Sequence, residues 1–274
     1  MFMTRLFSSI VLVVLALVTI LSGGYVLAAV LLFLAIVAYR ELMKACALAD
    51  TKGKMNGMEL IGYVGIAAYY FFMVFVENKI FLLLVLITIL VAFMFLYVFR
   101  FPVYRAEQIM CAFFCVAYAP VMLSFIYLVR SLPYGIYTVW MIFISSWICD
   151  TCAYVVGMLL GRHKLAPVLS PKKSIEGALG GIAGSAIVGA VYAYLVVEPA
   201  ISQQRITWVF VLISAVGAVI SQVGDLAASA IKRNHEIKDY GKLIPGHGGV
   251  MDRFDSVIFT APMIYFLALM LIHG

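Results

Sequence analysis

Residues 80–99 have the sequence IFLLLVLITILVAFMFLYVF, in which no side chain carries a charge. An α-helix of about 20 such residues is long enough to cross the hydrocarbon core of a bilayer. Eight further apolar stretches of comparable length lie at 6–22, 25–39, 58–76, 108–129, 135–160, 178–197, 206–230 and 256–272. The sequence therefore predicts an all-α, polytopic integral membrane protein with about nine transmembrane helices.

The composition excludes the other main classes of protein. Of the 274 residues, 65% are hydrophobic and 12% are charged, and the mean hydropathy is +1.11. A soluble domain has about 25% charged residues, and it could not bury so much apolar surface. The five cysteines are odd in number and lie in or beside apolar stretches, which argues against a disulfide scaffold.

We expect one membrane domain with two parts. Residues 1–140 provide about five helices, and residues 141–274 provide about four helices and two polar loops. The first two stretches are separated only by Gly23 and Gly24, so they form either a tight helical hairpin or one re-entrant unit. Residues 1–22 also resemble a signal peptide, but no convincing cleavage site follows them, and we expect a retained helix.

The basic residues are distributed unevenly between the two sides that nine spans define. Of the 19 lysines and arginines, 16 fall on the side of the N-terminus, and only Lys79, Arg130 and Arg205 fall on the other. Cytoplasmic loops are enriched in these residues, so we expect a cytoplasmic N-terminus and an external Gly274. The net charge of +6 then reflects topology, and we expect no nucleic-acid partner. No segment resembles a transit peptide, so we expect a bacterial inner membrane.

The first polar loop, GRHKLAPVLSPKKSIEG at 161–177, is more complex than a positively charged anchor requires. Lys172 and Lys173 are suited to holding phosphates as point charges. Ser170 and Ser174 are suited to hydrogen bonding with phosphate oxygens, and Glu176 follows two residues later. An ordinary basic membrane anchor remains the alternative.

The second polar region begins on a predicted helix. At 100° per residue, one face of that helix carries Asp225, Ser229, Lys232 and Arg233. A carboxylate, a hydroxyl and two cations on one cytoplasmic face indicate a binding surface. The alternative is an ordinary helix end whose cations interact favourably with the helix dipole.

A glycine-rich turn and two carboxylates complete this region. The backbone amides of Gly248 and Gly249 are suited to an anion, and His247 is either a general base or a structural histidine. Asp252 and Asp255 follow at a helical spacing of three. Together with Asp225 they provide oxygen ligands of the kind that Mg²⁺ prefers. Carboxylates, cations and a glycine turn indicate metal-assisted chemistry at phosphates.

Two other features receive structural interpretations. Gly177, Gly181, Ser185, Gly189 and Ala193 form a stripe of small residues, which predicts close helix packing and also allows a homodimer. Glu41 is interpreted as a residue that marks the membrane interface.

Several segments resemble those of the phosphatidate cytidylyltransferases, also called CDP-diacylglycerol synthases. The resemblance covers about residues 145–260. The segments are Ser229-x-Ile231-Lys232-Arg233, Lys238-Asp239-x-Gly241, Ile244-Pro245-x-His247-Gly248-Gly249-Val250-x-Asp252-Arg253-Phe254-Asp255, Asp150-Thr151-x-Ala153-Tyr154-x-x-Gly157 and Ser170-Pro171-Lys172-Lys173-Ser174-x-Glu176-Gly177. Where Ser174 stands, the family often has threonine, which keeps the hydroxyl.

The resemblance implies transfer of the cytidylyl group of CTP to phosphatidic acid at the membrane, with either Mg²⁺ alone or Mg²⁺ and a second metal ion. It implies a metal site of Asp225, Asp252 and Asp255. Catalysis would also use Lys232 and Arg233. The expected substrate-binding residues are Ser170, Lys172, Lys173, Ser174, Glu176, Ser229, Lys238, His247, Gly248, Gly249 and Arg253.

Two other functions stay open at this point. A CTP-dependent lipid kinase would use the same nucleotide but transfer only its γ-phosphate. An anion transporter would need internal repeats and broken helices near the midplane of the bilayer, and the sequence contains no evident repeat.

Overall fold

The computed structural model describes residues 2–49, 54–201, 206–244 and 248–272, with residues 2–10 and 12 described by their backbone alone. Within these residues the chain forms nine long helices. They are α1 Phe2–Ser22, α2 Gly24–Ala45, α3 Gly57–Phe75, α4 Ile80–Phe99, α5 Ala106–Arg130, α6 Gly135–Leu160, α7 Ile175–Ile201, α8 Thr207–Asn234 and α9 Met251–Leu271. Each predicted stretch extends past its helix by no more than one residue.

The helices identify the chain as an integral membrane protein. Among the described residues, eight of them, α2 to α9, are long and apolar enough to cross a membrane. In α1 the described apolar part is Val13–Ser22. The all-α prediction is confirmed, whereas the side of the membrane on which each terminus lies stays a prediction.

Local chemistry explains where several helices begin and end. Gly23, which separates α1 from α2, and Gly24, the first residue of α2, both have positive φ, a conformation that glycine adopts without strain. Asn56 starts α3 by accepting a hydrogen bond from the Glu59 N–H, while Glu59 accepts one from the Asn56 N–H. This reciprocal capping box satisfies two of the free N–H groups at the helix start.

Three helices contain a single π-helical turn, at Ala117–Val121 in α5, Ile144–Ile148 in α6 and Ala193–Val197 in α7. The turn in α5 contains Pro120, which cannot donate a backbone hydrogen bond. Its carbonyl accepts a hydrogen bond of 3.0 Å from the Tyr70 hydroxyl. The irregular backbone is therefore held by a neighbouring helix within the apolar interior.

A β-hairpin connects α6 to α7. Strand β1, Lys164–Ala166, pairs in antiparallel fashion with strand β2, Ser170–Ser174. The Ile175 N–H donates to the His163 carbonyl at 2.9 Å and extends the pairing to the start of α7. The hairpin is the one element of the first polar loop that the sequence analysis does not anticipate.

The chain divides into two compact units. Unit 1 comprises Met1–Tyr127 and His235–Arg253, and unit 2 comprises Leu128–Asn234 and Phe254–Gly274. The sequence-based division lies at residue 140, beyond the observed boundary. Residues just before 140 join unit 2 through contacts such as the Tyr192 hydroxyl, which donates to the Tyr137 carbonyl at 2.9 Å.

The stripe of small residues packs inside unit 2, as predicted. Gly177, Gly181, Ser185 and Gly189 are buried. A methyl group added to Gly177 would lie 2.7 Å from the Ala153 carbonyl, and one added to Gly181 would lie 2.8 Å from the Cys149 carbonyl. The stripe thus lets α6 approach α7 closely, whereas the homodimer stays a prediction.

Candidate active site

The hairpin sets the positions of the two neighbouring lysines. Lys172 and Lys173 are consecutive residues near the end of strand β2. Lys172 is exposed, whereas Lys173 is half-buried and forms an ion pair with Asp225 of α8. The two lysines, which are adjacent in the sequence, therefore differ in the structure: one is exposed and the other is paired with a carboxylate.

A cavity of about 380 Å³ lies beside this ion pair. Its polar wall includes Asp150, Ser170, Lys172, Lys173 and Asp225. The apolar wall is provided by α6 and β1, with Ala153, Tyr154, Met158 and Leu165. The cavity therefore combines phosphate-binding chemistry with an apolar side suited to an acyl chain or a base.

Close packing of α8 and α9 brings a second carboxylate near Asp225. A methyl group on Gly224 would lie 3.0 Å from the Asp255 carbonyl and 2.9 Å from Phe259 Cβ, so only glycine allows this approach. The half-buried Asp255 experiences the like charges of Asp225 and Asp150 and the opposite charge of Lys232. Unit 2 thus concentrates negative charge where the sequence predicts part of a cation site.

Two predicted substrate-binding residues stabilise the hairpin and the start of α7. The Ser174 hydroxyl lines the cavity and also accepts a hydrogen bond of 3.1 Å from the Gly177 N–H as the N-cap. Glu176 accepts hydrogen bonds from the backbone N–H groups of Arg162 and His163 and contacts His163 Nδ1 at 2.6 Å. Both side chains therefore fix the geometry of the hairpin.

The other predicted residues of α8 lie toward its end. Ser229 and Lys232 are half-buried, and Arg233 is exposed. Lys232 interacts with Asp255, whereas neither Ser229 nor Arg233 lines the cavity. Of the four residues on the helical face predicted from the sequence, Asp225 alone lines the cavity.

The glycine-rich turn belongs to unit 1, where a buried carboxylate of α2 holds it. Glu41 accepts hydrogen bonds from the Val250 N–H at 3.1 Å and from the Met251 N–H at 2.9 Å. These amides lie at the start of α9, where N–H groups lack partners within the helix. Glu41 therefore caps α9 and does not simply mark the membrane interface.

Asp252 closes the same turn from the other side. Its Oδ2 accepts hydrogen bonds from the Tyr240 N–H at 2.9 Å and the Gly249 N–H at 3.0 Å. Gly248 has φ +88°, and a methyl group there would lie 2.8 Å from the same oxygen. The amide of Gly249, predicted to bind a triphosphate, is thus engaged by Asp252 in this structure.

The remaining predicted residues of unit 1 are Lys238 and Arg253, and both are exposed. His247 lies outside the described residues. The predicted Asp225 and Asp255 belong to unit 2, whereas Asp252 belongs to unit 1.

Almost the whole chain matches one known protein family. A family model described as the cytidylyltransferase family matches residues 3–271. The chain belongs to the cytidylyltransferase family. The match includes the hairpin, the cavity residues and the glycine-rich turn, and it extends over the N-terminal helices, for which the sequence analysis identifies no motif.

Curated relatives in the cytidylyltransferase family are bacterial. The chain is 38% identical over 156 residues to the phosphatidate cytidylyltransferase of Staphylococcus haemolyticus. The aligned residues make up 57% of this chain and 58% of that protein. It is 38% identical over 161 residues to that of Staphylococcus aureus (strain COL), covering 58% and 59%. The aligned region therefore spans less than two thirds of these relatives.

Sequence reasoning did not identify the roles of three residues, two at the cavity of unit 2 and one at the glycine-rich turn of unit 1. Gln222 lines the cavity, and its side-chain amide donates to the Ala178 carbonyl at 3.0 Å and to Cys149 Sγ at 3.3 Å. Tyr154 appears in the sequence motif, but only the structure identifies it as a wall of the cavity. Glu41 lies more than 200 positions from the amides that it binds, and no local pattern reveals that contact.

Proposed function

We propose that the protein transfers the cytidylyl group of CTP to phosphatidic acid, giving CDP-diacylglycerol and pyrophosphate. Membership of the cytidylyltransferase family and the name shared by its staphylococcal relatives support this reaction. The observation that carries the proposal is the cavity of unit 2, which is lined by Lys172, Lys173 and Ser170 together with Asp150 and Asp225.

The cavity suits a reaction between a nucleotide and a lipid. Lysine ammonium groups bind phosphate oxygens as point charges, and Ser170 adds a hydroxyl that can hydrogen-bond to the same oxygens. Tyr154 and Met158 are largely exposed on the apolar side of the cavity. In a membrane protein this side is suited to the lipid tails, so the polar wall would receive the phosphates.

The reaction needs no protein nucleophile. A phosphate oxygen of phosphatidic acid attacks the α-phosphorus of CTP, a new P–O bond forms, and the bond to the β-phosphate breaks as pyrophosphate leaves. The protein contributes by holding the two phosphates in line and by neutralising their charge. Lys172 and Lys173 are placed for this role, and Lys232 adds a third cation beside Asp255.

The carboxylates of unit 2 fit a magnesium ion. Asp225 and Asp255 supply oxygen ligands, and the mutual repulsion of Asp255, Asp225 and Asp150 would be relieved by a divalent cation. Bound Mg²⁺ supplies charge neutralisation at the transferring phosphate. Asp252, the third residue of the predicted metal site, already accepts two backbone hydrogen bonds, which favours a role in holding the glycine-rich turn.

We also propose that the site faces the cytoplasm of a bacterial cell, where CTP is available. The uneven distribution of lysine and arginine supports this orientation, because the hairpin and the Lys238 segment lie on the basic side.

The decisive experiment uses the purified full-length protein with phosphatidic acid vesicles and CTP labelled at either the α- or the γ-phosphorus. Label from the α-phosphorus should appear in the lipid, and label from the γ-phosphorus should appear in pyrophosphate. Transfer of the γ-label to a lipid would instead identify a CTP-dependent lipid kinase. Absence of label in any lipid would reject both reactions.

A further inference from the structure

Unit 1 brings together three cysteines that play no part in the proposed reaction. Cys46 directly follows α2, and Cys111 and Cys115 lie one turn apart on α5. Their sulfur atoms all lie within 4.8 Å of one another. No other group of three or more histidine, cysteine or acidic side chains among the described residues has its ligand atoms close enough together to bind a metal ion.

The packing of apolar side chains does not by itself require three cysteines to lie together. A buried cysteine behaves as a small apolar side chain, and one or two in a membrane helix need no explanation. Here two helices that are more than 60 positions apart in the chain direct three sulfurs to one point. Cys115 is buried, whereas Cys46 and Cys111 are half-buried and leave a path for an ion from outside.

The spacing suits zinc. Zn²⁺ binds thiolates at about 2.3 Å in a tetrahedron, so bound sulfurs lie about 3.8 Å apart. Sulfur atoms 4.8 Å apart would need to approach by about 1 Å to bind the ion. Cys46 lies at the end of a helix, where a shift of this size costs little free energy. Three thiolates select soft or borderline metals over the Mg²⁺ that carboxylates prefer.

The fourth ligand of the ion would be water or a side chain outside the cysteine cluster. His235 is exposed and interacts electrostatically with Cys111. A histidine with three cysteines is a common ligand set of closed structural zinc sites.

We propose that Cys46, Cys111 and Cys115 bind a structural zinc ion, with water or His235 as the fourth ligand. Binding releases the three thiol protons as the sulfurs become thiolates, and no oxidant is required. The ion fixes the end of α2 to α5. Glu41 lies five residues before Cys46, so the same helix end carries the carboxylate that holds the glycine-rich turn. The proposed zinc ion therefore stabilises the part of unit 1 that also holds the glycine-rich turn.

The test measures zinc bound to the full-length protein in detergent after chelation, reduction, addition of ZnCl₂ and desalting. We expect about one zinc per chain for the wild type and for Cys152→Ser, a half-buried cysteine of unit 2 that serves as the matched control. Cys46→Ser, Cys111→Ser and Cys115→Ser should each retain little zinc. His235→Ala distinguishes the two fourth ligands, because it should weaken zinc binding about tenfold or more if the histidine is the ligand and leave the binding unchanged if water is.

A second measurement does not depend on the variants folding. Co²⁺ added to the reduced wild type should give the intense thiolate charge-transfer absorption and visible bands of tetrahedral cobalt, and Zn²⁺ should abolish them. Added zinc should also raise the melting temperature of the wild type. Wild-type protein without stoichiometric zinc or the cobalt spectrum, or with a disulfide between two of these cysteines after purification without oxidant, would overturn the proposal.

Discussion

Lys173 of strand β2 forms an ion pair with Asp225 of helix α8, and both side chains remain about one quarter exposed. The pair joins the basic hairpin to an acidic residue of a membrane-spanning helix. A phosphate that binds Lys173 would release Asp225 to bind a cation. The ion pair thus keeps both charges compensated at the wall of the cavity before substrates arrive.

Lys173→Ala should therefore weaken turnover while the protein still inserts. A charged hydrogen bond to phosphate contributes roughly 1.5–3 kcal/mol, so we expect about a tenfold to a hundredfold loss of kcat/KM for CTP or phosphatidic acid. The measurement is steady-state turnover of purified protein in mixed micelles, with each substrate varied in turn.

Lys164→Ala is the matched control for this experiment. Lys164 lies on strand β1 of the same hairpin and is exposed, but it does not line the cavity. Removing its charge should leave kcat/KM within about twofold, because isolated surface charges contribute little. Equal losses for the two variants would mean that the hairpin acts only through its overall charge.

A second prediction concerns Glu41, which should act as a positioning residue for the glycine-rich turn. Glu41→Ala removes two hydrogen bonds to a charged acceptor, each contributing roughly 1.5–3 kcal/mol, and leaves two buried amides without a partner. We expect a lower melting temperature and a lower kcat. Glu41→Gln keeps one amide acceptor and should recover part of both.

Glu59→Gln tests whether any buried carboxylate would have the same effect. Glu59 is also buried in unit 1 and accepts a backbone N–H, from Asn56, but this hydrogen bond caps α3 and not α9. Glu59→Gln should lower the melting temperature without lowering the kcat of the folded protein. Gly249→Ala, whose methyl group would collide with Glu41 Oε1, should reproduce the loss of kcat. Normal turnover in both Glu41→Ala and Gly249→Ala would exclude a positioning role.

The sequence predicts the helices well because each signal is contained within one stretch. Residues 80–99 and their counterparts are apolar over a full membrane thickness, and each predicted stretch falls on a helix. The stripe from Gly177 to Ala193 has a helical period of four, and its packing follows from that spacing.

The candidate site was only partly predictable, because its contacts join distant segments. The lysines and carboxylates of the motifs are visible in the sequence, but the pairing of Lys173 with Asp225 depends on a short hairpin that contains prolines and little alternation. Glu41 and the three clustered cysteines lie in apolar surroundings without a local motif. Their partners are set by helix packing, which a single sequence does not encode in any local pattern.

A third prediction concerns topology. Reporter fusions after residue 54, within the hairpin at Val168 and after residue 240 should all be cytoplasmic, and a fusion at residue 274 should be external. The reason is the concentration of 16 of the 19 basic residues on one side of nine spans. Val168 is 88% exposed, so an insertion there should disturb the fold little. A cytoplasmic fusion at residue 274 would contradict the nine-span topology.

The last prediction concerns the carboxylates of unit 2. Asparagine has nearly the shape of aspartate but lacks its charge, so Asp225→Asn and Asp255→Asn should insert normally. If these residues hold Mg²⁺, loss of the ion should remove several kcal/mol of transition-state stabilisation, a fall in kcat on the order of a thousandfold or more. Asp225→Asn also leaves Lys173 without its partner, which by itself should change binding only modestly because the pair is partly exposed.

The measurement is the dependence of turnover on Mg²⁺ concentration for each purified variant. Glu107→Gln is the control, because the side chain of Glu107 is 70% exposed and forms an ion pair with the exposed Arg105. Asp252→Asn should be milder in its Mg²⁺ dependence and more damaging to stability, because Asp252 holds the amides of Tyr240 and Gly249. Activity and Mg²⁺ dependence like those of the wild type in Asp225→Asn or Asp255→Asn would reject the metal site, even if the cytidylyl transfer itself were established.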